Sequence, residues 1–399
     1  MTATAYLAAG VRTPMGGFGG SLAPLRASEF ASQAAAALFE RHNLAPAAVE
    51  HVIAGMVLQD MTESNPARIV AQRIGVPAAV PAFTVNMQCC SSMAALILAA
   101  QQVALGAVDT VLVLGLESMS NAPHMVAGAR WGLRNAHGEF IDTLRECTLA
   151  GSKLWGDPWA MIDVAEHHAE CDGVSREEMD RYACVSHGRA LDAADNGRFD
   201  DEIVAIDVAD RKGRMGRFER DEHPRRNISV EALARLATVR PGGVITAGNA
   251  AGINDGAAAA IICNDAGLKK LGLDPLAQIM MPGTAMVGCD PHVMGYSCVD
   301  ALNAALKSAE KRVDDLDLIE CNEGFAVQLL ACERMAGWPR DRLNVDGGSV
   351  GLGHPVGMSG LRIAVHLAHA LKQRDLKRGA ATVPAGSGLG TAVVLERVA

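Results

Sequence analysis

Twice along its 399 residues the chain runs through the same alternation of short apolar runs and helical patterns. In the first 120 residues, 51–59 (HVIAGMVLQ), 82–86 (AFTVN) and 110–119 (TVLVLGLESM) read as strands, with helical patterns over 28–42, 66–74 and 89–106. The last 125 residues repeat the scheme. There 316–324 (LDLIECNEG) is followed by a helix, 342–346 (RLNVD), a Gly-rich turn and a helix over 359–373. The chain then closes with GAATVPAGSGLGTAVVLERV. Matching landmarks lie roughly 258–270 residues apart, which predicts a duplicated α/β unit, two similar halves related by approximate symmetry. A chain this long buries a core without difficulty and suggests about two or three domains.

Residues 120–247 break the alternation. They hold most of the tryptophans, a helical pair at 162–197 and the charge-dense RKGRMGRFERDEHPRR (211–226), most of which reads as solvated surface. This middle region reads as an insertion packed over the face that the two halves share, and 248–275 returns to strand and small-residue helix. The expected division is therefore 1–119 with 248–275, then 120–247, then 276–399.

Composition narrows the function. A net charge of −9 argues against general nucleic-acid binding. No run approaches the roughly 20 apolar residues that span a bilayer, and the N-terminus lacks the basic and apolar regions of a secretory signal. A cytoplasmic protein with no membrane contact is expected. Ten irregularly spaced cysteines then read as reduced thiols rather than a disulfide framework. The spacing His168-x2-Cys171-x12-Cys184-x2-His187 imitates a zinc site, but GVSREEMDRYA between its halves reads as turn, N-cap and helix. No metal and no permanently bound cofactor are expected.

Three stretches carry chemistry. In VNMQCCSS, Cys89 stands at the predicted start of a helix apolar nearly all round, where free amides and the dipole favour a thiolate. Its neighbour Cys90 would close only a strained vicinal disulfide, and a small buried thiol is the plain alternative for either residue. In GLGHPVGMSG (351–360), His354 falls in a Gly-rich turn before the next helix. In CNEGFAVQ (321–328), Asn322 falls at the C-terminal end of a strand, where open α/β sheets bind ligands. The terminal AGSGLG lacks the GxGxxG spacing and the βαβ setting of a dinucleotide site.

Taken in order, VRTPMGGFGGSL, NPAR, VNMQCCSSM, ESMSNAPHM, GRFDDEI, TAGNAAGINDGAA, DPHVMG, NEGFA and NVDGGSVGLGHPVGMSG make the chain resemble the thiolases, acyl-CoA C-acyltransferases, over essentially its full length. The resemblance implies a five-layered α/β/α/β/α fold with an inserted loop domain, coenzyme A thioesters as substrates, and a homotetramer or homodimer. It implies that Cys89 is the nucleophile that carries an S-acyl intermediate and that Cys90 is packing. His354 would take the Cys89 proton, and Asn322 would position a water in one oxyanion hole. The N–H groups of Cys89 and Gly386 would form the other hole. Arg225 aligns with a contact to the coenzyme A nucleotide, and Met161 with the acyl pocket.

The chain also departs from the family's pattern. Where thiolases carry a second cysteine in the C-terminal loop, this sequence has Pro384, which leaves that acid/base position vacant. A positioned acid/base is worth about 10²–10⁴-fold, so the carbon–carbon step is expected to suffer. Ala251 stands for a serine near the pantetheine, Ala160-Met161-Ile162 for H-M-G, and Asn322-Glu323-Gly324-Phe325 for NEAF. Three readings follow: a thiolase with its second acid/base supplied by Cys298, Ser387 or water; an acyltransferase or decarboxylating condensing enzyme with a changed second half-reaction; or a weakly active assembly subunit.

Overall fold

The computed structural model describes residues 3–149, 159–209 and 212–398; the parts of the expected divisions and of the charge run at 1–2, 150–158, 210–211 and 399 lie outside the described residues. The first half runs β1 (Ala5–Arg12), α1 (Ala27–Arg41), β2 (His51–Gly55), α2 (Pro66–Arg73), β3 (Ala82–Val85), α3 (Ser91–Ala104) and β4 (Thr110–Ser118). The helical pair of the middle region is α4 (Met161–Cys171) and α5 (Arg176–Asp195). Strand β5 (Asn254–Cys263) then returns to the first half and lies between β1 and β4, antiparallel to both. After α6 (Asp265–Leu271), the second half runs β6 (Ala277–Gly288), α7 (Ser297–Ser308), β7 (Leu318–Cys321), α8 (Ala326–Ala336), α9 (Ser359–Gln373), β8 (Arg378–Ala385) and β9 (Leu389–Glu396).

The two halves have matching strand orders. One reads β3-β2-β4-β5-β1 and the other β7-β8-β9-β6, and β1 joins β6 through Ala5↔Ile279, Tyr6↔Gln278 and Leu7↔Ala277. The second half lacks only the counterpart of β3. The predicted strand at 342–346 shrinks to one parallel bridge, Ile319↔Leu343, because Asn344 adopts a φ of +46 that an extended strand does not allow. The predicted strand 51–59 likewise ends at Gly55, and the next residues turn inward to meet a buried carboxylate.

Layering follows from which faces are apolar. Helices α1 and α2 cover the outer face of the first half, and α7 covers that of the second. Between the halves lie α3 and α9, buried almost all round, each touching strands of both. Full burial of one of their leucines stabilises the fold by about 1.5–3 kcal/mol relative to exposure. They pack closely where Gly360 has no side chain: a Cβ there would lie 2.6 Å from the Met93 backbone nitrogen. The result is the five-layered α/β/α/β/α arrangement. Because α3 and α9 are equivalent elements, the loops before them, one holding Cys89 and the other His354, arrive at the same place. Among the described residues no helix is long and apolar enough to cross a membrane.

Candidate active site

The first loop places Cys89 just before the helix, not within it. Gln88 takes a left-handed φ of +52, and the Ser91 hydroxyl donates to the Gln88 carbonyl while accepting the Met87 N–H. This closed turn moves the first helical residue to Ser91, with Cys90 as its cap. The Cys90 thiol is buried and donates to the Val383 carbonyl at 3.2 Å, tying the turn to β8. Just past the end of that strand, the Gly386 N–H reaches the Cys89 sulfur, as does the Cys89 N–H.

The second loop brings His354 to the same sulfur: its Nε2 lies 3.2 Å from Cys89 Sγ. His354 is buried rather than a surface loop residue, and its backbone is held where its N–H donates to Asn254 Oδ1 at 3.0 Å. Gly353 before it has a φ of +103, and a Cβ there would run into the Asn254 amide. The Ser359 hydroxyl donates to the Pro355 carbonyl, so His354 Nδ1–H donates to Ser359 Oγ at 2.6 Å. That tautomer turns the bare Nε2 toward the thiol.

Electrostatics correct one expectation. Burial pushes the Cys89 thiol up to about 11, and Glu117 adds to this, against the pull of the Gly386 and Cys89 N–H groups. Burial and then the Arg362 guanidinium push His354 down to about 3. The resting pair is thus a thiol facing a neutral imidazole, because the loss of solvent outweighs the helix-end field. Such a pair transfers its proton as the sulfur attacks, not before.

Asn322 follows β7 and is 1% exposed, with its N–H on the Thr382 carbonyl two residues from Pro384. Its Oδ1 accepts from Ser349 Oγ at 2.7 Å, and its Nδ2 has no hydrogen-bond partner among the described residues. Pro384 itself lies inside strand β8, opposite Gly390, and not in a loop as the sequence suggested. Met161 opens α4 beside Gly386, where an added Cβ would lie 3.4 Å from its sulfur. Ala251 and Phe325 lie on one short pairing, in which the Ala251 N–H donates to Gly324 and Ala250 bridges Phe325. Arg225 is exposed, and its backbone N–H donates to His187 Nδ1.

Cys298 is turned away from any such site. Its thiol is fully buried, donates to the Gly295 carbonyl and lies 3.4 Å from Cys332 Sγ. Ser387 occupies the half-buried turn after β8, at a φ of +66. In the zinc-like spacing, His168 is engaged by Gly295 N–H and Asp172, and His187 stacks on His223.

Sequence reasoning missed Asn254, Ser359, Ser349, Arg362 and Glu117. Glu117 is buried and accepts from the N–H groups of Val57, Leu58 and Gly357, joining loops of the two halves. A carboxylate within the apolar run TVLVLGLESM was the available signal for it.

Residues 5–266 match the family model described as "Thiolase, N-terminal domain", and residues 273–397 match "Thiolase, C-terminal domain". An acetyl-CoA acetyltransferase of Pseudomonas aeruginosa is 43% identical over 394 residues, covering 98% of both chains. The crystal structure of the Bacillus anthracis acetyl-CoA acetyltransferase superposes with a TM-score of 0.95 at 38% identity, covering 100% of this chain and 99% of that one. Human mitochondrial 3-ketoacyl-CoA thiolase in complex with CoA gives a TM-score of 0.94 at 36% identity, covering 99% and 98%. With both halves matched and the layering shared, the chain belongs to the thiolase family of acyltransferases.

Proposed function

We propose that the protein is a thiolase-type acyl-CoA C-acyltransferase that works through an S-acyl intermediate on Cys89. The observation that carries this is the meeting of Cys89 Sγ with His354 Nε2 at 3.2 Å, on the sulfur that the Gly386 N–H also reaches. The thiol proton passes to His354 Nε2 as the sulfur adds to the thioester carbonyl, forming the new C–S bond. The Cys89 and Gly386 N–H groups fit the hole that meets the tetrahedral oxyanion, and Asn322, its Nδ2 unpartnered among the described residues, fits the role of holding a water in the other hole. Collapse breaks the original C–S bond, and the departing coenzyme A sulfur takes the proton from His354, leaving acyl-Cys89.

Met161 beside Gly386 fits the acyl pocket, and Ala251 with Phe325 fits the pantetheine arm. The exposed Arg225 fits the nucleotide end. The assembly proposed is a homodimer or homotetramer, to be read by light scattering.

The test is mass spectrometry after incubation with acetyl-CoA. The expected result is an acetyl adduct on Cys89, absent in Cys89→Ala; no adduct with any short acyl-CoA would refute the reading. A second reading, a changed second half-reaction, is favoured by Pro384, since no ionisable side chain stands at that point of β8. Thiolysis of acetoacetyl-CoA separates the two: ordinary thiolase rates would remove the case for altered chemistry.

A further inference from the structure

The turn that carries His354 is shaped against one buried amide. Asn254, the first residue of β5, is fully buried, and both ends of its side chain are engaged. Its Oδ1 accepts the His354 N–H at 3.0 Å, and its Nδ2 donates to the Gly16 carbonyl at 3.0 Å. An N–H only donates and a carbonyl only accepts, so the two neighbours independently require the same orientation of the amide. The Nδ2 also lies 3.5 Å from His223 Nδ1.

Asn254 is itself fixed. Its backbone pairs with Gly17, whose N–H is held by Glu222 Oε2 at 2.7 Å. On the opposite side the Gly353 backbone lies so close that an added Cβ would come 2.6 Å from the Asn254 Cγ and Oδ1. The turn thus rests on the amide at Gly353 and is bonded to it at His354. His354 is held in two distinct ways: Ser359 sets the rotation of the ring, and Asn254 sets where the backbone stands. If volume alone were needed, an apolar residue would fill this place without burying an amide.

We propose that Asn254 is a positioning residue for acyl transfer: it acts through His354, fixing that residue's backbone so that Nε2 stays within reach of the Cys89 thiol. This rests on the proposed S-acylation of Cys89. The proton has to cross from Sγ to Nε2, which stand 3.2 Å apart. A displacement of about 1 Å between reacting groups costs about 10²-fold in rate, so a hold on the histidine backbone bears directly on that step.

The experiment is single-turnover acylation of Cys89, quenched and read by mass spectrometry over a range of acetyl-CoA concentrations, with circular dichroism to check folding. It separates the fraction of molecules that acylate, the limiting rate and the half-saturating concentration. Asn254→Ala is expected to acylate fully but about 10–10²-fold more slowly, with the half-saturating concentration of wild type. The same change is then made in His354→Ala. There it should alter the rate by less than about 2-fold, the scatter of independent sites, because the imidazole it acts through is gone. A merely structural asparagine would lower the acylating fraction alone, or slow both backgrounds by the same factor. Either result would overturn the inference alone, as would a folded Asn254→Ala with the wild-type rate or a change confined to the half-saturating concentration. A wild type that takes no acyl group would overturn the proposed function and the inference with it. If Asn254→Ala does not fold, Asn254→Leu, which keeps the volume and removes both hydrogen bonds, takes its place in each comparison. If His354→Ala acylates too slowly to follow, the limiting rate, acylating fraction and half-saturating concentration of the single variant decide.

Discussion

Because β7 pairs with Gly379–Thr382 and goes no further, the ladder on that side of β8 has ended before the chain reaches Pro384. A proline is tolerated there for the reason it is tolerated at sheet edges: on that side no neighbouring strand needs its missing N–H. Its side chain, at this buried position, can neither give nor take a proton. Pro384→Cys is expected to raise thiolysis of acetoacetyl-CoA by up to about 10²-fold, at the lower end of what a positioned acid/base contributes. No gain in a folded variant would show that the second half-reaction does not depend on this position. The proline itself was legible in the local sequence. That sequence did not reveal the protonation state of Cys89, because the burial that pushes the thiol up to about 11 comes from elements far away in the chain.

Glu117 acts at the level of elements. Its Oε2 accepts from Val57 and Gly357 at 3.0 and 2.9 Å, and its Oε1 from Leu58 at 3.0 Å. It therefore fastens the segment after β2 to the loop that carries His354, three residues before Gly357. Burial pushes this carboxyl up to about 7, against the three N–H groups that pull it down. In Glu117→Gln, either amide orientation sets an NH2 against backbone donors, and an unsatisfied buried group costs about 1–3 kcal/mol. A lowered unfolding midpoint together with slower acylation is expected; an unchanged midpoint would remove the fastening role. The sequence made the elements themselves legible, α9 with both of its ends, because apolar periodicity is a local signal. Asn322, His354 and Cys89 were legible through motifs. Ser359, Ser349, Arg362 and Glu117 were not, since each is defined by the residue it faces across the fold.

At the scale of the whole molecule, the two halves and the middle region are tied by a buried charge network. Arg12 of β1 pairs with Glu202 at 2.6 Å and Asp221 at 2.7 Å, so part of the charge run at 211–226 is structural and not solvated surface. His366 of α9 faces Glu202 at 2.9 Å and Asp346 at 3.3 Å. Burial alone would lower the His366 pKa, but Glu202, which also holds its hydrogen bond, and the neighbouring Asp346 and Glu320 carboxylates outweigh it and push it up to about 10. A histidine raised in the folded state stabilises fully below its unfolded pKa, near 6.5, and loses that contribution as pH climbs through about 10. His366→Gln leaves Glu202 to Arg12 and Asp346 to Arg374 but removes the cation between them, and breaking such a buried pair costs up to about 3–5 kcal/mol where the histidine would be charged. The gap in unfolding free energy between wild type and His366→Gln, measured with urea, should be greatest at about pH 6 and shrink toward about pH 10. A gap that stays constant over this range would show that His366 is neutral in the folded protein, and that the network is held by Arg12 without it.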